Sequence, residues 1–317
     1  MKAIVALLVA VFGCVAMSNA DAQRYPTRPI RLIVPFTPGG GVDILSRAVA
    51  AQLYESMGQP IVVDNRSGAG GVIGFETAVR ASPDGYTLCM VNSNYSGTSA
   101  IQKLPYDPIN DIQPIIQLGE SGLVLVVHPA MPVKSVKELI AYSQADPNKL
   151  NYGSVGIGSL THLALELFKL ETKSHFAHVA YKGGSPALAA VIGGEVQLTA
   201  ISMVPTVPHL KAGRLRALAV TTPKRLNALP DVPAVAESVP GYEAVHWYGI
   251  FGPKRLSRDV VERWNTEVAK ALQTDEMKRR MAGEGLEPAG VTPEHFLNTI
   301  KRDIDKWKRV VKETKIT

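Results

Sequence analysis

The sequence predicts an α/β protein with room for two domains, and three observations carry this. Short apolar runs alternate with stretches of helical periodicity along most of the chain, the order expected of largely parallel sheets. Three successive predicted strands end in loops rich in Gly, Ser and Asn, and a similar strand–loop–helix unit recurs in the second half. The 317 residues, 46% of them hydrophobic, can bury a sizeable core.

The N-terminus reads as a secretory signal over residues 1–22. Lys2 gives a minimal positive region, Ile4 to Phe12 an apolar core too short for a bilayer span, and Ala20-Asp21-Ala22 a cleavage site. Val11-Phe12-Gly13-Cys14 is a loose lipobox, so lipid anchoring at Cys14 is the lesser alternative. The mature chain then keeps one cysteine, Cys89, which excludes an internal disulfide. Cys89 lies in the apolar run Tyr86 to Val91 and reads as a buried structural thiol.

The formal net charge is +6, and 15 Lys and Arg against 11 Asp and Glu fall between Lys254 and Thr317. They are interleaved along helical patterns rather than set on a strip with aromatics, which argues against nucleic-acid binding.

Ile30 to Val34 is a buried strand stopped by Pro35 and Pro38. Gly39-Gly40-Gly41 allow a tight turn, and a helix follows from about Val42, with Leu45, Val49 and Leu53 at helical spacing. Such a loop is either a structural turn or an anion site at a helix start. It is not a nucleotide motif, because neither the P-loop ending nor G-x-G-x-x-G is present. A second strand, Pro60 to Asp64, ends in Asn65-Arg66-Ser67-Gly68-Ala69-Gly70-Gly71, and Val72 to Arg80 reads as a helix. The third, Tyr86 to Val91, opens into a polar loop, Asn92 to Gly97. Ligands of open α/β sheets bind at such carboxyl ends.

Leu123 to Pro129 is expected to cross into a second domain spanning 125–245, with 23–124 and 246–317 forming the first. Ser135 is expected to cap one helix. Leu150 to Val155 reads as a strand leading into Gly156-Ile157-Gly158-Ser159, with Ser159 capping the next helix. Strands are predicted at His178 to Lys182, Leu198 to Ile201 and Arg214 to Val220, and Ser185 with Pro186 starts a helix. Val245 to Phe251 should return to the first domain, and two helical stretches, from Ser257 and from Thr292-Pro293, finish the chain.

Catalytic constellations are weak. The histidines show no H-E-x-x-H, and His175 with His178 have no nearby Cys or carboxylate, so no metal and no cofactor is expected. Gly156-Ile157-Gly158-Ser159 has the wrong spacing for a hydrolase elbow. The loops offer glycine N–H groups, hydroxyls and amides, the chemistry of holding a carboxylate. Asp43 reads first as a brace of its loop at a helix start. Arg66 is either a ligand contact or a solvated loop residue, and Trp247 and Tyr248 read first as core or hinge packing. His162, in a first helical turn, is either packed or ligand-facing, and is expected to be neutral because a cation there opposes the helix dipole.

Tyr25-Pro26-Thr27-Arg28-Pro29-Ile30 and Pro35-Phe36-Thr37-Pro38-Gly39-Gly40-Gly41-Val42-Asp43 resemble the start of Bug proteins, the periplasmic receptors of tripartite tricarboxylate transporters. Pro83-Asp84-Gly85-Tyr86-Thr87-Leu88, Leu104-Pro105-Tyr106-Asp107-Pro108, Asn151 to Ser159, Tyr181-Lys182-Gly183 and Leu229-Pro230-Asp231-Val232-Pro233 extend the resemblance over essentially the whole mature chain. It implies a two-domain periplasmic binding protein fold of the Venus-flytrap type, with a cleft between the domains and no catalysis. It also implies a small-molecule carboxylate ligand, partnership with a small and a large membrane subunit, and a monomeric periplasmic receptor. The candidate contacts are then Phe36, Thr37, Gly39 and Gly40 on the first loop and Asn92, Ser93 and Asn94 on the third. Across the cleft they are Gly156, Ser159, Thr161, His162, Tyr181, Lys182 and Ser202. Family members often carry an Asp in the strand after the Gly-Glu/Gln-Val-Asp segment; the corresponding positions here hold Gln197 and Ile201. A ligand without an amino group is therefore expected. The competing readings are a sensor subunit presenting its ligand to a signalling partner, and a hydrolase on the same scaffold.

Overall fold

The computed structural model describes residues 25–316 apart from Asn148, Lys182 and Glu284. The predicted signal segment and Cys14 lie outside the described residues. The described residues build one ten-stranded sheet, in the order β2-β1-β3-β9-β4-β7-β5-β6 with β8 and β10 also on β4. In chain order the elements are β1 (Ile30–Val34), α1 (Gly41–Met57), β2 (Ile61–Asn65), α2 (Val72–Val79), β3 (Thr87–Asn92), α3 (Asn94–Ile101) and β4 (Ile112–Val127). Next come α4 (Val136–Ala145), β5 (Asn151–Ser154), α5 (Leu160–Thr172), β6 (Ala177–Ala180), α6 (Gly184–Ile192), β7 (Leu198–Ser202), α7 (Met203–Lys211) and β8 (Arg216–Val220). β9 (Val245–Pro253), α8 (Arg258–Leu272), α9 (Asp275–Gly283), β10 (Glu287–Val291) and α10 (Pro293–Thr314) complete the chain.

β4 organises this sheet. Its first half pairs with β9 and β10, and its second half, from Leu123, pairs with β7 and β8. The sheet thus has two segments joined by one continuous strand. Each segment has apolar clusters of its own: one around Leu32, Val49 and Trp264 beside another around Phe75, Tyr95 and Trp247, and in the second segment one around Tyr152, Leu163 and Phe168 beside another around Val124 and Val191. α10 touches both segments, with Phe296, Ile300 and Ile304 in one core and Trp307 and Val310 in the other.

The prediction of largely parallel sheets needs correction. β1–β2, β1–β3, β5–β6 and β5–β7 are parallel, but every pairing of β4 and β9 is antiparallel. The strands that carry the chain between the segments run against their neighbours. The polar loop predicted at Asn92 to Gly97 also needs correction, because α3 begins at Asn94. Asn, Ser and Gly have low helix propensity, and packing of the buried Tyr95 against Phe75 and Phe251 offsets it. α6 starts two residues earlier than expected, with Gly183 at its N-cap in place of Ser185. Ser135, Ser159, Ser257 and Thr292 each cap a helix, their side chains accepting N–H bonds from Glu138, His162, Val260 and His295. Among the described residues, no helix is long and apolar enough to cross a membrane.

Candidate functional site

A cavity of about 430 Å³ lies between the two sheet segments. From the first come Phe36 after β1, Gly70 in the second glycine-rich loop, Asn92 at the end of β3, and Asn94, Thr98 and Ile101 on one stripe of α3. Gln102 follows that stripe, and His246 joins from β9. The second supplies Val155 to Thr161, Gly183 with Gly184, and Ile201, Ser202 and Pro205, while Leu123 contributes from β4. The starts of α3, α5, α6 and α7 therefore border one space. Helix starts carry a positive dipole end and N–H groups that have no partner within their own helix, so their convergence favours an anion. Phe36, Ile101, Leu123, Val155, Ile157, Ile201 and Pro205 add apolar wall.

The polar groups are held in place. Asn92 Oδ1 accepts from Asn94 N–H (3.2 Å), and Asn94 Oδ1 accepts from Leu160 N–H (3.4 Å), bridging the two sides. Ser159 Oγ donates to Gly156 O (2.6 Å), and Thr161 Oγ1 accepts from Val155 N–H (3.0 Å). His246 Nδ1 lies 2.6 Å from Ser93 Oγ and its Nε2 3.0 Å from Tyr248 Oη. Burial pushes His246 down to about 4, so it is neutral at pH 7. The Ser93–His246 pair has the spacing of a nucleophile and base, but Ser93 is buried and does not border the cavity. Among the described residues, no group of three His, Cys, Asp or Glu side chains could hold a metal ion.

Of the predicted contacts, Phe36, Asn92, Asn94, Gly156, Ser159, Thr161 and Ser202 border the cavity. Thr37, Gly39 and Gly40 are exposed beyond it, Ser93 and His162 are buried behind it, and Tyr181 packs on Gly153 instead. Lys182 lies outside the described residues. Thr98, Ile101, Gln102, Leu123, Pro205 and His246 escaped the residue-level reading. The 94/98/101 spacing was the available signal, hidden by the loop-like composition of α3.

The neighbouring candidates act elsewhere. Buried Asp43 accepts from Gly39 N–H (3.0 Å), from Arg47 through Nε (3.1 Å) and Nη2 (3.0 Å), and from Asn65 Nδ2 (3.0 Å). Burial works to raise its pKa, but the bonds from Arg47, Gly39 and Asn65 with the Arg47 charge outweigh it and hold the carboxyl below its ordinary value. It ties the first loop to α1 and β2. Arg66 Nε donates to Asp64 (3.1 Å) on β2. Trp247 Nε1 donates to buried Asp303 (2.7 Å), locking β9 to α10. Gln197 Oε1 accepts from Asn151 N–H (2.8 Å), so of the two positions singled out in that segment only Ile201 reaches the cavity.

A model of the tripartite tricarboxylate transporter family receptor matches residues 45–316. The chain belongs to this receptor family. Protein BugT of Bordetella pertussis is 36% identical over 98% of this chain and 96% of its own length. Among solved structures, an R. palustris protein with adipate is 37% identical with a TM-score of 0.81, covering 92% of this chain and 99% of that one. MatC from Rhodopseudomonas palustris with bound malate is 29% identical with a TM-score of 0.78, covering 90% and 100%. The fold is thus the α/β periplasmic binding protein fold, and the chain is a solute-binding receptor of the Bug type.

Proposed function

We propose that the protein is a periplasmic receptor that captures a small carboxylate without an amino group and delivers it to a tripartite tricarboxylate-type secondary transporter. The observation carrying this is the convergence of four helix starts and neutral donors on a cavity whose remaining wall is apolar. Anionic ends suit the N–H groups, and an aliphatic or aromatic body suits Ile101, Leu123 and Ile201. The adipate and malate seen in the two related structures support the same ligand class. In this reading residues 1–22 direct export, residues 125–245 form one domain and the flanking segments the other, and the two close on the ligand by hinge motion. Its role is binding rather than catalysis, as a monomer that docks on a small and a large membrane subunit.

A thermal-shift panel of organic acids tests this, with adipate, malate, benzoate, aspartate and glutamate among them. An acid at a hundred times its dissociation constant adds about 2.7 kcal/mol to stability. A shift with at least one acid lacking an amino group is expected. No shift with any carboxylate refutes the reading, and tight binding of aspartate or glutamate refutes its amino-group part.

A further inference from the structure

Two imidazoles behind the loop of residues 155–159 have no role in the account above. His162, in the first turn of α5, stacks on His178 of β6 with ring centroids 4.0 Å apart and planes 12° from parallel. Tyr152 of β5 stacks on His178 in turn, at 4.9 Å. Neither histidine borders the cavity, yet His162 is bonded to the loop that does and His178 to Ser154 at its base. Gly158 N–H donates to His162 Nδ1 (3.1 Å). His178 Nε2 lies 2.6 Å from Ser154 Oγ, which accepts from Gly156 N–H (3.1 Å). Gly156 and Gly158 have φ of +128° and +78°, where glycine gains no rigidity from its own side chain. Their backbone is held by these bonds.

We propose that His162 and His178 are positioning residues for the ligand-binding wall, and that this stacked pair releases the 155–159 loop in acid. The proposal deepens the reading of the cavity as the ligand site and rests on it for its functional meaning.

To accept from Gly158, His162 must carry its proton on Nε2 and leave Nδ1 bare. A second proton turns that acceptor into a donor facing a donor, and the bond is lost. His178 differs. The Ser154 hydroxyl can donate to Nε2 or accept from it, because Gly156 O, 3.3 Å away, can take the hydroxyl proton instead. The acid-sensitive contact is therefore the one at His162. Among the described residues, Tyr152, Glu166 and Lys169 are the other titratable groups facing the pair. Glu166 accepts from Tyr152 Oη (2.6 Å) and from Lys169 Nζ (2.7 Å), so its charge is largely matched. Burial, then His178 and Lys169, oppose a charge on His162 while Glu166 favours it, and the balance holds His162 down at about 4. His178 is also lowered, by burial first, with Glu166 opposing and Lys169 reinforcing.

Hydrogen exchange of the unliganded protein, read at the Gly158 amide and corrected for the intrinsic pH dependence, tests this without a ligand. With His162 at 6.5 in the opened loop and about 4 in the closed one, linkage raises the opening constant about a hundredfold between pH 7 and pH 4. Protection at Gly158 should fall by that factor while the Val126 amide of β4 stays protected. His162→Asn offers an acceptor that does not titrate and should keep protection at both pH values. His162→Phe keeps a ring but no acceptor and should expose Gly158 already at pH 7; if it fails to fold, His162→Asn carries the test. Unchanged wild-type protection, a parallel fall in His162→Asn, or loss at Val126 in step with Gly158 overturns the proposal. Failure of the receptor reading shows separately, in the acid panel.

Discussion

Gly97→Ala sets two effects of similar size against each other. Gly97 lies inside α3, on the stripe that gives the cavity Asn94, Thr98 and Ile101. A Cβ there would stand 2.7 Å from Gly158 O and 3.0 Å from Leu163 Cδ1. Leu163 can change rotamer, but a backbone carbonyl cannot, so α3 and the 155–159 loop must part by about half an ångström. Overpacking of this kind costs about 1–3 kcal/mol. Replacing Gly by Ala in a helix interior returns about 1 kcal/mol. The net loss of stability is about 0–2 kcal/mol, a fall of at most several degrees in melting temperature for a chain of this size. Binding should suffer more. The Asn94 Oδ1 bond to Leu160 N–H is already 3.4 Å long, and half an ångström more ends it. Calorimetry with whichever acid stabilises the wild type should show affinity lower by about tenfold or more, about 1.4 kcal/mol. A variant about 1 kcal/mol more stable with unchanged affinity would show that the two surfaces are not held in register, and the reasoning would fall.

Asp43→Ala removes the acceptor shared by Gly39, Arg47 and Asn65, although Asn65 keeps Phe36 O and Arg47 is solvent-exposed; denaturant unfolding should show a loss of about 1–3 kcal/mol. Ile201→Asp places a charge in the cavity wall; at about 5 Å from a bound carboxylate and an effective dielectric near 20 the repulsion is about 3 kcal/mol. Carboxylate affinity should fall by about a hundredfold, and an unchanged value would move the ligand away from β7. His162 contributes stability that is complete above about pH 6.5 and is lost as pH falls toward its folded value of about 4, because the unfolded chain takes up the proton in that window and the closed fold does not. That amounts to about 3 kcal/mol, and unfolding free energies of His162→Asn should be flatter than wild type between pH 7 and pH 4.

The parts of the fold legible in the sequence are those with local causes. The strand at Ile30–Val34, the turn through Gly39 and the helix from Gly41 follow from an apolar run, prolines and glycines within a few residues. The caps at Ser159 and Thr292 are equally local. α3 was not legible, because its helicity comes from packing of Tyr95 and from α10 behind it, more than from Asn, Ser or Gly. The first half of β4 was obscured by Gln113, Pro114 and Gln117, and its pairing with β9 shifts register around Pro114 and Gln117. β10, with Pro288 and Gly290, is an edge strand with little apolar signal. Strand direction has no local signature, so the antiparallel pairings of β4 and β9 could not be read. At the site, glycine-rich strand ends pointed to the cavity, whereas Leu123, Pro205 and His246 reach it only through the folded course of the chain.

β9 lies between β3 and β4, although Asn92 and Val245 are separated by nearly half of the sequence. Until β9 arrives, β3 has an open edge, and Val91 and Met90 lack the strand that covers them. Closing that gap requires a long loop to be ordered, which slows the step without greatly weakening the product. The segment from Leu123 to Val220 has its own nearby partners and can assemble first. Refolding should therefore show at least two phases, with the slower one reporting on the Trp247 environment. During that delay the bare β3 edge is where aggregation would begin.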